Sequence, residues 1–143
     1  KIETALRETS ERFRLAFQTS PDAINISRLK DGMYVDVNQG FTEITGYSRD
    51  EVIGKTSLEI NLWTDPSDRR RLVKGLKEYG RVNNMEVQFR MKDGTFVTGL
   101  MSASIIMLKG RPHILSISRN IENLKRLETE RKQLLHETET ARK

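Results

Sequence analysis

The stretch MEVQFRMKDGTFVTGLMSASII, residues 85–106, sets two strand patterns either side of one tight turn. Met85, Val87, Phe89 and Met91 alternate with Glu86, Gln88, Arg90 and Lys92, a period of two that puts one face on a core and the other in water. Lys92-Asp93-Gly94 reverses the chain, because Asp-Gly accepts the positive φ angles of a tight turn. Beyond it Val97, Gly99, Met101, Ala103 and Ile105 are read as facing inward, since glycine and alanine leave room for a ligand or a helix. Phe96 and Leu100 then lie on the outer face, which needs a cover from residues 1–18 or a second copy of the chain.

Outward from that hairpin, Lys109-Gly110-Arg111 turns the chain into a last strand, His113 to Ser118. On the N-terminal side lie two short strand runs, Ala23 to Arg28 and Met33 to Val37, joined at Lys30-Asp31-Gly32. Between the two groups of strands are short helices with clear punctuation. Asn38 caps one that ends at Gly46, and Ser48-Arg49-Asp50-Glu51 is a capping box for another that ends at Gly54. Asp65-Pro66 opens a longer helix, which presents Leu72, Val73, Leu76 and Tyr79 and stops at Gly80. Residues 1–18 form an amphipathic helix with Ile2, Leu6, Thr9, Phe13 and Ala16 on one side. Strands joined by tight turns, with the helices gathered on one face, make an α+β protein with an antiparallel sheet.

Composition narrows the chemistry. The 143 residues fill one domain, and a start on Lys1 reads as a piece of something longer. No cysteine is present, which removes disulfides, thiolate metal sites and thiol nucleophiles. The net charge of +5 comes from 25 basic and 20 acidic residues, interspersed. Arg69-Arg70-Arg71 follows Asp65 and Asp68 and reads as a solvated helix face, so no nucleic-acid partner is expected. There is no long apolar run and no signal-peptide pattern. No nucleophile with a base, metal cluster or phosphate-cradling glycine loop appears, so the domain itself is not expected to be an enzyme.

Five stretches in this order resemble successive signatures of PAS domains, the sensory modules of bacterial signalling proteins such as sensor histidine kinases. They are TSPDAINI (19–26), YVDVNQGFTEITGYSRDEVIGK (34–55), WTDPSDRRRL (63–72), EVQFRMKDGTFV (86–97) and LSISRNIENLKRLE (115–128). The resemblance implies a five-stranded antiparallel sheet with a helical flank around a small cavity. It divides the chain into an N-terminal helix (1–18), a core (19–121) and a C-terminal signalling helix (122–143) that leads to an output domain. It also implies a cytoplasmic address, which is compatible with a parent protein anchored in the membrane.

On this reading the cavity walls are Ile26, Phe41, Ile44, Leu72, Leu76, Met85, Met101 and Ser116, residues that would serve equally well as plain core. Either a small ligand or no ligand at all is compatible with them, the second alternative being a dimerisation and relay unit. Covalent flavin is disfavoured by the missing cysteine, and haem by the lack of histidine between Asp65 and Tyr79. His113 and His136 are read as surface residues, with no metal site. Non-covalent flavin stays open, with Trp63 read as a ring packed under the long helix.

Relatives often read Arg-Asp-Ile-Thr where this chain has Arg119, Asn120, Ile121 and Glu122, so the strand-to-helix coupling here is expected to use different hydrogen bonds. After it, Leu124, Leu127, Arg131, Leu134, Thr138 and Ala141 recur at spacings of three and four, a heptad seam for two paired helices. A homodimer through the terminal helices and the outer sheet face is expected.

Overall fold

A computed structural model describes residues 2–142, with side chains described outside 123–126 and 139–142. The chain folds as α1 (Ile2–Thr19), β1 (Ala23–Arg28), β2 (Tyr34–Val37), α2 (Gln39–Thr45), α3 (Arg49–Val52), α4 (Pro66–Tyr79), β3 (Arg81–Arg90), β4 (Phe96–Leu108), β5 (Arg111–Asn120) and α5 (Glu122–Arg142). The five strands form one antiparallel sheet in the order β2-β1-β5-β4-β3. The first and last strands of the fold are thus neighbours at its centre.

Local chemistry sets most boundaries. Gly32 sits at φ 77° in the β1–β2 turn, where its N–H donates to the Arg28 carbonyl at 2.7 Å. Lys109 and Gly110 both have positive φ, 51° and 73°, which makes a two-residue hairpin and lets β4 run on to Leu108. The side chains of Asn38, Ser48 and Asp65 each accept a backbone N–H at a helix start, and the Ser48–Glu51 capping box closes in both directions. β3 begins at Arg81, directly after the left-handed Gly80, and absorbs an irregularity near Asn84 before the regular alternation from Met85.

The main core lies between the sheet and α2 to α4. It contains Tyr34, Val37, Phe41, Val52, Leu62, Trp63, Leu72, Leu76, Val87, Phe89, Met101 and Ile114. The inward set on β4 faces it as expected, with Met101 and Ala103 buried and Val97 and Ile105 packed against them. A second cluster, on the opposite face, joins Phe17 of α1 to Ile24, Ile26, Val35, Ile106 and Leu115.

That second cluster places α1 and corrects one expectation. On α1 the buried residue is Phe17, whereas Ile2, Leu6 and Phe13 of the expected stripe are exposed, because only the last turn of the helix reaches the sheet. Ile26 belongs to this outer cluster and not to a cavity wall. β1 is a central strand buried on both faces, so its apolar content does not say which face each residue takes.

Asn38 holds α1 to the rest. Its Nδ2 donates to the carbonyls of Phe17 (2.7 Å) and Asp22 (3.0 Å), while its Oδ1 accepts from the N–H groups of Ile24 (2.8 Å) and Phe41 (2.9 Å). One buried side chain therefore caps α2 and ties together α1, β1 and the connection between them.

Candidate functional site

Between α4 and the inner sheet face lies a cavity with about 60 Å³ open to the centre of a water-sized sphere. Phe41, Ile44 and Leu72 line it from the helices, and Met101 and Ser116 from the sheet. The other three residues expected in the wall lie elsewhere. Leu76 and Met85 belong to the same core without lining the cavity, and Ile26 is on the far face.

Beyond the expected Ser116, polar groups line the cavity at Asn25, Tyr34 and Thr45, outside the wall expected from the sequence. Asn25 and Ser116 are directly opposite each other on β1 and β5, and both face the cavity. Ser116 is 3% exposed and its Oγ is one of two buried hydroxyl oxygens among the described residues with no hydrogen-bond partner; the other, Thr64 Oγ1, lies outside the lining. Thr45, by contrast, is satisfied, its Oγ1 donating to the Phe41 carbonyl at 2.7 Å. Tyr34 is buried beside Ser57 and Arg69; burial pushes its phenol pKa up, opposed by the Ser57 hydrogen bond and the Arg69 charge. Trp63 is indeed a packed ring: its Nε1 donates to Ser57 Oγ at 2.8 Å and its indole tilts against Phe89 with centroids 5.3 Å apart.

The expectation of a solvated face at Arg69 does not hold: it lines the cavity and packs on Gly32, where an added Cβ would lie 2.5 Å from Nη2. Its spacing held the signal. Arg69, Leu72, Val73 and Leu76 stand at i, i+3, i+4 and i+7 on α4, so the arginine shares the inward stripe. His113 also departs from its expected surface place. It is buried on the outer sheet face, level with Arg28 and Ile106, and its Nδ1 lies 2.9 Å from the Arg111 carbonyl.

The cavity reaches the exit of the sheet, since Ser118, Arg119 and Asn120 also line it. At the exit Arg119 pairs with Asp22 at 3.6 Å, and Asn120 Oδ1 accepts the N–H of Glu122 at 2.9 Å. The N–H of the buried Ile121 donates to the Thr98 carbonyl at 3.1 Å, and the Thr98 N–H donates to Glu122 Oε2 at 2.9 Å. All four predicted coupling residues therefore sit at the joint. Glu122 makes its bond as a carboxylate acceptor, in place of the hydroxyl common among relatives. Leu127 and Leu134 are exposed on α5, and the side chain of Leu124 lies outside the described residues.

A helical flank on one face of a five-stranded antiparallel sheet, around a cavity that reaches the exit strand, is an α+β arrangement able to hold a small molecule. The PAS fold family matches residues 11–121, and the chain belongs to it. It is 34% identical over 128 residues to the methyl sulfide methyltransferase-associated sensor of Methanosarcina acetivorans, a match covering 87% of this chain and 12% of that protein. The PAS domain of an HTR-like protein from Haloarcula marismortui has a similar structure, with TM-score 0.69 and 32% identity over 83% of this chain and 97% of that one. The fold also matches a domain of a sensory box sensor histidine kinase/response regulator from Geobacter sulfurreducens, with TM-score 0.65 and 24% identity over 80% and 96% of the two chains. Among the described residues no helix is long and apolar enough to cross a membrane.

Proposed function

We propose that this domain binds a small ligand in its internal cavity and passes its bound state through α5 to an output domain in cis. The carrying observation is that the orphaned Ser116 hydroxyl shares strand β5 with Ser118, Arg119 and Asn120, all lining the same cavity, and that β5 continues straight into α5. A ligand that prefers one position of β5 biases the joint at Asn120 and Glu122 by its differential affinity for the two positions and by no more. The domain performs no chemistry of its own. The output is a histidine kinase or a cyclic-dinucleotide enzyme, and the module works in the cytoplasm without a nucleic-acid partner.

The working form is a homodimer through the terminal helices and the outer sheet face. Exposed Ile2, Leu6 and Phe13 on α1, Phe96 and Ile117 on the sheet, and Leu127 and Leu134 on α5 support this reading. For the ligand, an organic molecule fits better than haem, because His113 lies on the face of the sheet away from the cavity. Non-covalent flavin stays open, with Trp63 and Phe89 both in the cavity wall.

Native mass spectrometry of the purified chain, followed by denaturation and identification of what is released, tests this function. A small molecule released in stoichiometric amount is expected. A clean apo dimer that no metabolite stabilises would overturn ligand binding and leave a dimerisation and relay unit.

A further inference from the structure

We infer that the cavity is built for a small organic anion, a short-chain carboxylate held by Arg69; this rests on the ligand-binding function proposed above. Among the described residues, the cavity lining contains two guanidinium groups, Arg69 and Arg119, and no aspartate, glutamate, lysine or histidine. Arg119 is engaged by Asp22. Arg69 forms no ion pair with a described residue, although two acids precede it on α4 and a third adjoins Gly32: Asp68 pairs with Arg71 at 3.3 Å, Asp65 caps α4 through the Ser67 N–H, and Asp31 pairs with Arg28. A partly buried guanidinium that lines a cavity, with no carboxylate supplied by the described residues, matches an incoming carboxylate in charge and in planar fork geometry.

The rest of the lining agrees. The Ser116 hydroxyl is buried without a partner, and the Asn25 amide stands directly across from it. These are neutral groups able to donate to an oxyanion or to a hydroxyl beside it. Phe41, Leu72 and Met101 offer an apolar wall for a short alkyl chain. With about 60 Å³ open to the centre of a water-sized sphere, the cavity has room for a small molecule. Propionate and lactate are of that small class.

The test compares propionate with propionamide, its uncharged isostere, on the 143-residue chain at constant ionic strength, read by amide shifts of Asn25, Ser116 and Arg69. Saturable shifts with propionate are expected, with propionamide at least about tenfold weaker, since a hydrogen-bonded charge pair is worth about a factor of ten or more in affinity. R69Q should bring propionate down to the level of the amide, and R69K should restore part of the difference. Equal binding of acid and amide, or undiminished binding of propionate by R69Q, overturns the anion site while leaving a ligand-binding cavity intact. If neither compound nor a set of neutral fragments of the same size shifts these residues, the ligand-binding function falls with it.

Discussion

The Thr98 N–H donates to Glu122 Oε2 at 2.9 Å, so the start of β4 is fastened to the first turn of the exit helix by a carboxylate. The same residue of β4 accepts the Ile121 N–H through its carbonyl at 3.1 Å, and the two bonds together clamp the joint. Replacing Glu122 with alanine removes one of them. Global stability should fall by on the order of 1 kcal/mol, while hydrogen exchange at the Thr98 amide and in the first turn of α5 rises much more than elsewhere in the sheet. Unchanged exchange at Thr98 would show that the carboxylate does not hold the joint in solution.

Asn38 should be among the least replaceable residues of the domain. Asn38→Ala strands the buried N–H groups of Ile24 and Phe41 and two carbonyls, and should cost about 3 kcal/mol or more. Asn38→Asp keeps both acceptor bonds yet turns a carboxylate toward the carbonyls of Phe17 and Asp22, so it too should be destabilised. Denaturant midpoints of the two variants check both statements. An aspartate variant as stable as the parent would mean that the bonds to Phe17 and Asp22 contribute nothing.

Ser116 should behave in the opposite way. Its hydroxyl is buried without a partner, so Ser116→Ala should leave the ligand-free domain within about 0.5 kcal/mol of the parent, or make it more stable. The measurement is chemical denaturation of ligand-free protein. A loss of about 1–3 kcal/mol, the usual cost of breaking a satisfied buried hydrogen bond, would refute the unpartnered state.

Acid should weaken the fold through two surface carboxylates. The Lys92 ammonium, 2.6 Å from Glu51, and the Ser48 N–H hold the Glu51 carboxyl at about 2, below its ordinary 4.5. Arg28 and the Met33 N–H likewise hold Asp31 at about 2, below 3.8. Both values are depressed on folding, so their stabilisation is complete above about pH 4.5 and is lost as the pH falls toward 2. Both groups are solvent-exposed, so salt should shrink the effect. Denaturation midpoints across pH 2–5 should slope less steeply in Glu51→Gln than in the parent; parallel slopes would remove Glu51 from the account.

Turns, caps and periodicity were legible in the sequence because each depends on a few neighbouring residues. Asp31-Gly32, Asp65-Pro66 and the Ser48–Glu51 box form through contacts within one turn, and the alternation of β3 and β4 reports a sheet with one wet face. Order and type of the elements followed, and with them the PAS fold. The faces of β1 were not legible, since a strand buried on both sides carries no polar alternation, and so Ile26 was set against the cavity when it packs under Phe17. Arg69 looked like one cation in a solvated run, and only the packing of α4 over Gly32 turned it inward. The bond between Thr98 and Glu122, 24 residues apart in sequence, exists because β4 and β5 pair in one register. The sequence by itself determined which elements form, because local geometry is set by local chemistry. Which side chains meet around the cavity and at the exit joint was decided only when five strands and the helices packed together, since those contacts join residues distant in the chain.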